Sequence, residues 1–214
     1  MEDIILYGSG GMARQVAELI EDINAVEPRW NILGCIDDIK GNGKEASNGY
    51  KILGTGEILK DLGGKTSVVL AMSDPAAKEN IYERIKQYNL KFPVLIHPSA
   101  RVARNAVVGE GSIIGIDCIV SSNVNIGRHV FLNIRTVVGH DAVISDFCSC
   151  LVNCIIAGSV WIKEGSLLGS NCVIMEKKVI GRRAKIGMGS IVSFDVEDHN
   201  IVLSRPSKAM YFGE

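Results

Sequence analysis

The chain has 214 residues, 47% of them apolar and 22% charged, with a formal net charge of −1. That size allows one or two domains of an ordinary soluble protein. The near-neutral balance offers no basic surface for nucleic acid or an anionic membrane, and no apolar run approaches the ~20 residues of a membrane span.

The acidic start, Met1-Glu2-Asp3, differs from the basic start of a signal peptide, so a cytoplasmic protein is expected. Six cysteines in such a chain are expected to be reduced thiols.

Ile4-Ile5-Leu6-Tyr7 reads as a strand, Gly8-Ser9-Gly10-Gly11 as a tight turn, and 12–20 as a helix with one apolar face. Backbone N–H groups at such a helix start attract phosphate. A second strand, Ile32–Ile36, ends in Asp37-Asp38, and carboxylates at that place suit a ribose or a base edge. A third, 67–72, ends in Ser73-Asp74-Pro75, and a helix over 76–89 follows. The pattern predicts a small α/β, Rossmann-like nucleotide-binding domain over 1–95. The alternative is a tight turn with no ligand. The polar, Gly-rich stretch 41–49 is expected to be a surface loop. Phe92–Pro98 is a proline-stiffened junction.

From Ile96 to Val192 every sixth residue is aliphatic. Of these seventeen positions sixteen are Ile, Val or Leu, and the other is Cys150. Two residues before most of them stands a small side chain, Cys118, Cys148, Cys154 and Cys172 among them, and Gly often follows, as at Gly109, Gly139 and Gly169. A period of six fits neither a helix nor a lone strand; it is the signature of a hexapeptide β-solenoid. Three hexads make a triangular coil, so 96–197 supplies between five and six coils. The aliphatics fill the prism, and glycine is expected where the backbone turns each corner. The cysteines fall on inward positions as small hydrophobes, which favours packing over a zinc site for Cys148, Cys150 and Cys154.

A filled prism has no interior cleft, so a ligand must use the outer wall or a groove between subunits. Four histidines are present. His97 reads as structural, His199 lies in the tail, and His129 sits in a corner where it is expected to be solvated. His140 faces outward in Val138–Val143, beside Asp141 and near Asp146. A histidine next to a carboxylate suits general-base work; the alternative is a surface histidine with no role.

Three stretches then converge: Tyr7–Gly11, Cys35-Ile36-Asp37-Asp38 and Val138–Phe147. With Ile96-His97-Pro98-Ser99-Ala100 they resemble the NeuD/PglD-type sugar acyltransferases of the left-handed β-helix superfamily, over essentially the whole chain. The resemblance, not the period, implies the left hand. It also implies acetyl-CoA as co-substrate without a metal, an amino group on a UDP- or GDP-linked amino sugar as acceptor, and a homotrimer with sites between subunits. The family's base matches His140 and its acidic neighbour Asp141; the transfer implied is direct. An acceptor contact matches Asn133, and nucleotide contacts match Gly10, Gly11, Met12, Asp37, Asp38, Ala71 and Asp74. Acetyl-CoA contacts match Ser149, Ser170 and Met188, with Gly158 close by. Departures are Ser149 where several relatives carry a second His, Gly139 where some have Glu, and the tail Ser204–Lys208. Outward Phe131, Phe147 and Trp161 are expected to support trimerisation. Competing readings are O-acetylation of sialic acid or another sugar, a solenoid zinc enzyme, and a non-catalytic scaffold.

Overall fold

The computed structural model describes residues 1–40, 49–62, 64 and 66–205. The expected loop over 41–48 and the tail motif from Pro206 onward lie outside the described residues.

Strands β1 (Glu2–Tyr7), β2 (Trp30–Ile36), β3 (Ile52–Gly54) and β4 (Ser67–Leu70) form one parallel sheet in the order β3-β2-β1-β4. Its strands are buried on both faces, which is why β1 reads as an unbroken apolar run rather than an alternation. Helix α1 (Gly11–Val26) buries Ala13, Val16, Ala17, Leu19 and Ile20 on one face of the sheet. Helix α2 (Pro75–Ile85) covers the other face through Ile81, Tyr82 and Ile85. Both crossovers put a helix start at the carboxyl end of a strand. The first is closed by Gly8, whose φ of 123° and 2.8 Å approach to the Ala71 carbonyl leave no room for a Cβ.

Residues 95–202 form a left-handed parallel β-helix. Its two-residue strands stack into sheets of five, six and seven, with register steps of 18 residues such as Val137↔Ile155 and Val143↔Trp161. The six-beat aliphatics from Ile114 to Val192 and the small residues two places before them form one core, with Cys118, Cys148, Cys150, Cys154 and Cys172 fully buried in it, while Val102 and Val108 are partly buried and Ile96, at the open first coil, is 36% exposed rather than interior. Burying each large aliphatic contributes roughly 1.5–3 kcal/mol.

Two corner expectations change. At most corners the left-handed residue is not the glycine after the aliphatic but the residue two places after that glycine position: Asn123, His129, Arg135, Asp141, Phe147 and Asn153 all have φ between 53° and 61°. The glycines serve close approach instead. A Cβ at Gly139 would stand 2.6 Å from the Gly158 nitrogen on the next coil, and one at Gly169 2.6 Å from the Met188 nitrogen.

The α/β unit lies on the outer face of the seven-stranded sheet. Leu95, Ile113 and Phe131 point outward from the prism and are buried in the core of α1. Phe147 is likewise covered, by Tyr82 of α2 at 5.6 Å between ring centroids. These two phenylalanines therefore join the two parts of one chain and are not free to join copies of it; Trp161 remains 47% exposed.

Candidate active site

Three corner edges run along the prism, and the expected site residues distribute over them. His140 and Gly158 stack on the edge between the six- and five-stranded sheets. Ser170 and Met188 stack on the edge between the seven- and six-stranded sheets, where Asn133 also lies. Within one chain the two groups are not brought together.

His140 is open to solvent, its side chain 67% exposed. Its Nδ1 is 2.7 Å from Asp141 Oδ2. Asp141 is held below the usual carboxylate range, by its hydrogen bond to His140 first and by that from Asn123 second. A carboxylate accepting at Nδ1 requires the proton there and leaves the lone pair on Nε2. The ring lies against Gly158, where a Cβ would stand 2.6 Å from Nε2. Glycine at 158 thus makes room for the imidazole ring itself.

At the α/β unit, Gly10 caps α1 with no side-chain hydrogen bond, and a Cβ there would meet nothing within 4 Å. That leaves the first N–H groups of α1 facing open space. Gly11, Met12, Ser73 and Asn133 line one cavity of about 350 Å³, which brings the turn and the expected acceptor contact together. Asn133 is 9% exposed, and its Oδ1 accepts from the Ile134 N–H at 2.8 Å.

The acidic residues are partly spent on the fold. Asp74 caps α2 by accepting from the Ala77 N–H at 2.8 Å. Asp37 Oδ1 accepts from the N–H groups of Ile39 and Lys40, while Oδ2 accepts from the Ser9 hydroxyl. Asp38 accepts from the Gly56 N–H at 2.9 Å, from the Tyr7 hydroxyl at 2.9 Å, and from Arg84. Asp38 is thus the hub holding Tyr7, Gly56 and Arg84, with its side chain still 33% exposed. Ala71 is buried, its N–H donating to the Tyr7 carbonyl at 2.9 Å.

Two sequence expectations are corrected. Ser149 is fully buried beneath the α/β unit, with its hydroxyl oxygen unpartnered, so its side chain does not reach a co-substrate on the open wall. His129 is 1% exposed rather than solvated. Its ring stacks on Phe147 at 5.3 Å and packs on Tyr82 at 4.7 Å. Burial, then the charges of Lys78 and Arg128, push its pKa down to about 3. Sequence reasoning also missed Lys78, which is fully buried and donates from Nζ to the carbonyls of His129 at 2.8 Å and Cys148 at 3.0 Å. The signal for His129 was present: Gly111, His129 and Phe147 are 18 residues apart, one corner on three successive coils. Nothing in the pattern of α2 marks Lys78.

Among the described residues no group of three or more His, Cys, Asp or Glu is placed to hold a metal ion, and no helix is long and apolar enough to cross a membrane.

Residues 3–85 match the PglD N-terminal domain family. A GDP-perosamine N-acetyltransferase of Escherichia coli O157:H7 is 27% identical over 185 residues, 86% of this chain and 82% of that one. The acetyltransferase domain of PglB from Neisseria gonorrhoeae FA1090, solved with acetyl coenzyme A, superposes with a TM-score of 0.86 at 25% identity, covering 98% of this chain and 99% of that one. A mutant perosamine N-acetyltransferase from Caulobacter crescentus, solved with CoA and GDP-perosamine, shares the fold with a TM-score of 0.87 at 22% identity, covering 97% and 96%.

Proposed function

We propose that this chain is a hexapeptide-repeat sugar acyltransferase of the NeuD/PglD type, and that it carries an acetyl group from acetyl-CoA to the amino group of a nucleotide-linked 4-amino sugar. The observation that carries the proposal is the His140–Asp141 pair, 2.7 Å apart on an exposed corner.

When bound, acetyl-CoA supplies an activated acyl carbonyl. The acceptor nitrogen forms a bond to the acyl carbon and the C–S bond breaks to release CoA as the thiolate; Nε2 of His140 takes the proton lost by the nitrogen, and that proton neutralises the departing thiolate. Asp141 holds Nδ1 as N–H and stabilises the imidazolium. The missing side chain at Gly158 lets the imidazole lie flat on the next coil, which fixes where Nε2 points. The open start of α1 at Gly10, Gly11 and Met12 receives phosphate, with Asp37 beside the nucleoside and Asp38 positioning Arg84 and Gly56 behind it. Asn133, in the same cavity as Met12, contacts the sugar.

Asn133 and the nucleotide turn lie at one edge of the prism and His140 at another, so a complete site needs a second copy of the chain. The neighbour's Ser170 and Met188 edge would then face His140. Aliphatic ladders flank the His140 corner on both sides: Ile119, Ile155 and Ile191 are 43%, 43% and 72% exposed, and Val107 and Trp161 60% and 47%. A homotrimer would cover them.

Two experiments test this reading. An acceptor screen with acetyl-CoA should give transfer to the amine of a GDP- or UDP-linked 4-amino sugar. Transfer to a sialic acid hydroxyl instead would replace the amine reading with O-acetylation. Gly158→Ala should displace the His140 ring and cut turnover by at least about tenfold with the melting temperature unchanged; wild-type turnover in that variant contradicts the placement of Nε2.

A further inference from the structure

Asp141 belongs to a column of corner residues, Asn105, Asn123 and Asp141, one per coil. Asn105 donates from Nδ2 to Asn123 Oδ1 at 2.6 Å, and Asn123 donates from Nδ2 to Asp141 Oδ1 at 3.0 Å. The other oxygen of Asp141 faces His140 Nδ1 at 2.7 Å. The two amide donors run the same way and end on the Asp141 carboxylate, which accepts from the imidazole on its other oxygen. An exposed carboxylate with one partner rotates freely about its side-chain bonds; a second partner on its other oxygen fixes its plane. Because Asn123 Oδ1 is taken by Asn105, its NH₂ end is the one left to face Asp141. Hydrogen bonds in such a run reinforce one another.

We propose that Asn123, backed by Asn105, is a positioning residue for acyl transfer: it locks the Asp141 carboxylate in the plane that keeps the proton on His140 Nδ1 and the lone pair on Nε2. This rests on His140 being the base. The residues directly above and below the pair, Ser122, Asn123, Gly158 and Ser159, are uncharged. Arg104 and Glu176 stand two coils away in the His140 column, and Lys177 two coils below Asp141.

The fold contains its own control. Asn153 donates from Nδ2 to Asn171 Oδ1 at 2.8 Å on a neighbouring edge, with the same φ of 58° as Asn123. Alanine removes two ladder bonds at Asn123 and one at Asn153 and carries the same left-handed strain at both, but only Asn123 adjoins the pair. Rates of the full-length protein at saturating acetyl-CoA and acceptor should fall about tenfold in Asn123→Ala and stay within about twofold of wild type in Asn153→Ala, with both variants folded at the assay temperature. Asn123→Asp sets a second carboxylate beside the pair, stabilises the imidazolium, and should move the acid limb of the pH–rate profile to higher pH. Equal rates in the two alanine variants, or an acid limb unmoved in Asn123→Asp, overturn the proposal. Should Asn123→Ala fail to fold, the Asn123→Asp limb decides. Full turnover in His140→Ala is a different result: it removes the base itself.

Discussion

Replacing His140 with alanine lowers turnover by about 10²–10⁴-fold, the usual worth of a positioned general base, or about 2.7–5.5 kcal/mol of transition-state stabilisation. Binding of acetyl-CoA persists, because the imidazole is asked to act on the acceptor proton. The fold persists too, since the side chain is 67% exposed and takes no part in the prism core. Turnover and melting temperature should therefore separate cleanly. A variant that loses both together would mean that His140 is structural; one that loses neither would mean that it is an idle surface group. Replacing Asp141 should produce a smaller loss, because the base remains and only its orientation and the charge beside it are gone.

Stability should climb as pH rises through neutrality, and Lys78 should be the cause. Its ammonium is wholly buried between α2 and the prism, held by the carbonyls of His129 and Cys148. Burial pushes its pKa down from 10.5 to about 7. Below about pH 7 both folded and unfolded chains carry the proton, and the full cost of the buried charge is present. Between about pH 7 and 10.5 the unfolded chain still binds the proton that the folded chain has released, so stability rises with pH, by on the order of a few kcal/mol over that window. The groups around Lys78 titrate elsewhere: His129 near pH 3, and the Cys148 thiol pushed up to about 12. Lys78→Met should flatten the rise in melting temperature between pH 7 and 10. An unchanged slope in that variant assigns the rise to another group. The same lysine sets how the α/β unit sits on the wall, so its loss should also weaken nucleotide-sugar binding.

The prism was legible because a six-residue period has one structural solution, and every aliphatic from Ile114 to Val192 that the period assigned to the interior is buried. The strand–turn–helix starting at Tyr7 was legible for a similar reason, since Gly8 has no substitute at its φ and its distance from Ala71. The period was read too simply at the corners. Glycine after the aliphatic was taken as the turning residue, whereas Asn, Asp, His and Phe two places later carry the left-handed backbone. Docking of the two parts was not legible at all. It depends on which outer face α1 and α2 cover, and that is what buries Phe131, Phe147, His129 and Ser149. The structural part played by Asp38 was hidden for the same kind of reason: its partners Tyr7, Gly56 and Arg84 are spread over 77 positions of the sequence, and only the folded sheet gathers them.

The central claim is that one imidazole on an outer corner passes the acetyl group directly, with no acyl-protein stage. Single-turnover mixing of stoichiometric enzyme with acetyl-labelled acetyl-CoA and a GDP- or UDP-linked 4-amino sugar tests it most directly. The account predicts label on the acceptor nitrogen alone, at a rate lost in His140→Ala, with none on the protein at any time. Label trapped on a cysteine, or transfer at the wild-type rate without His140, would contradict it.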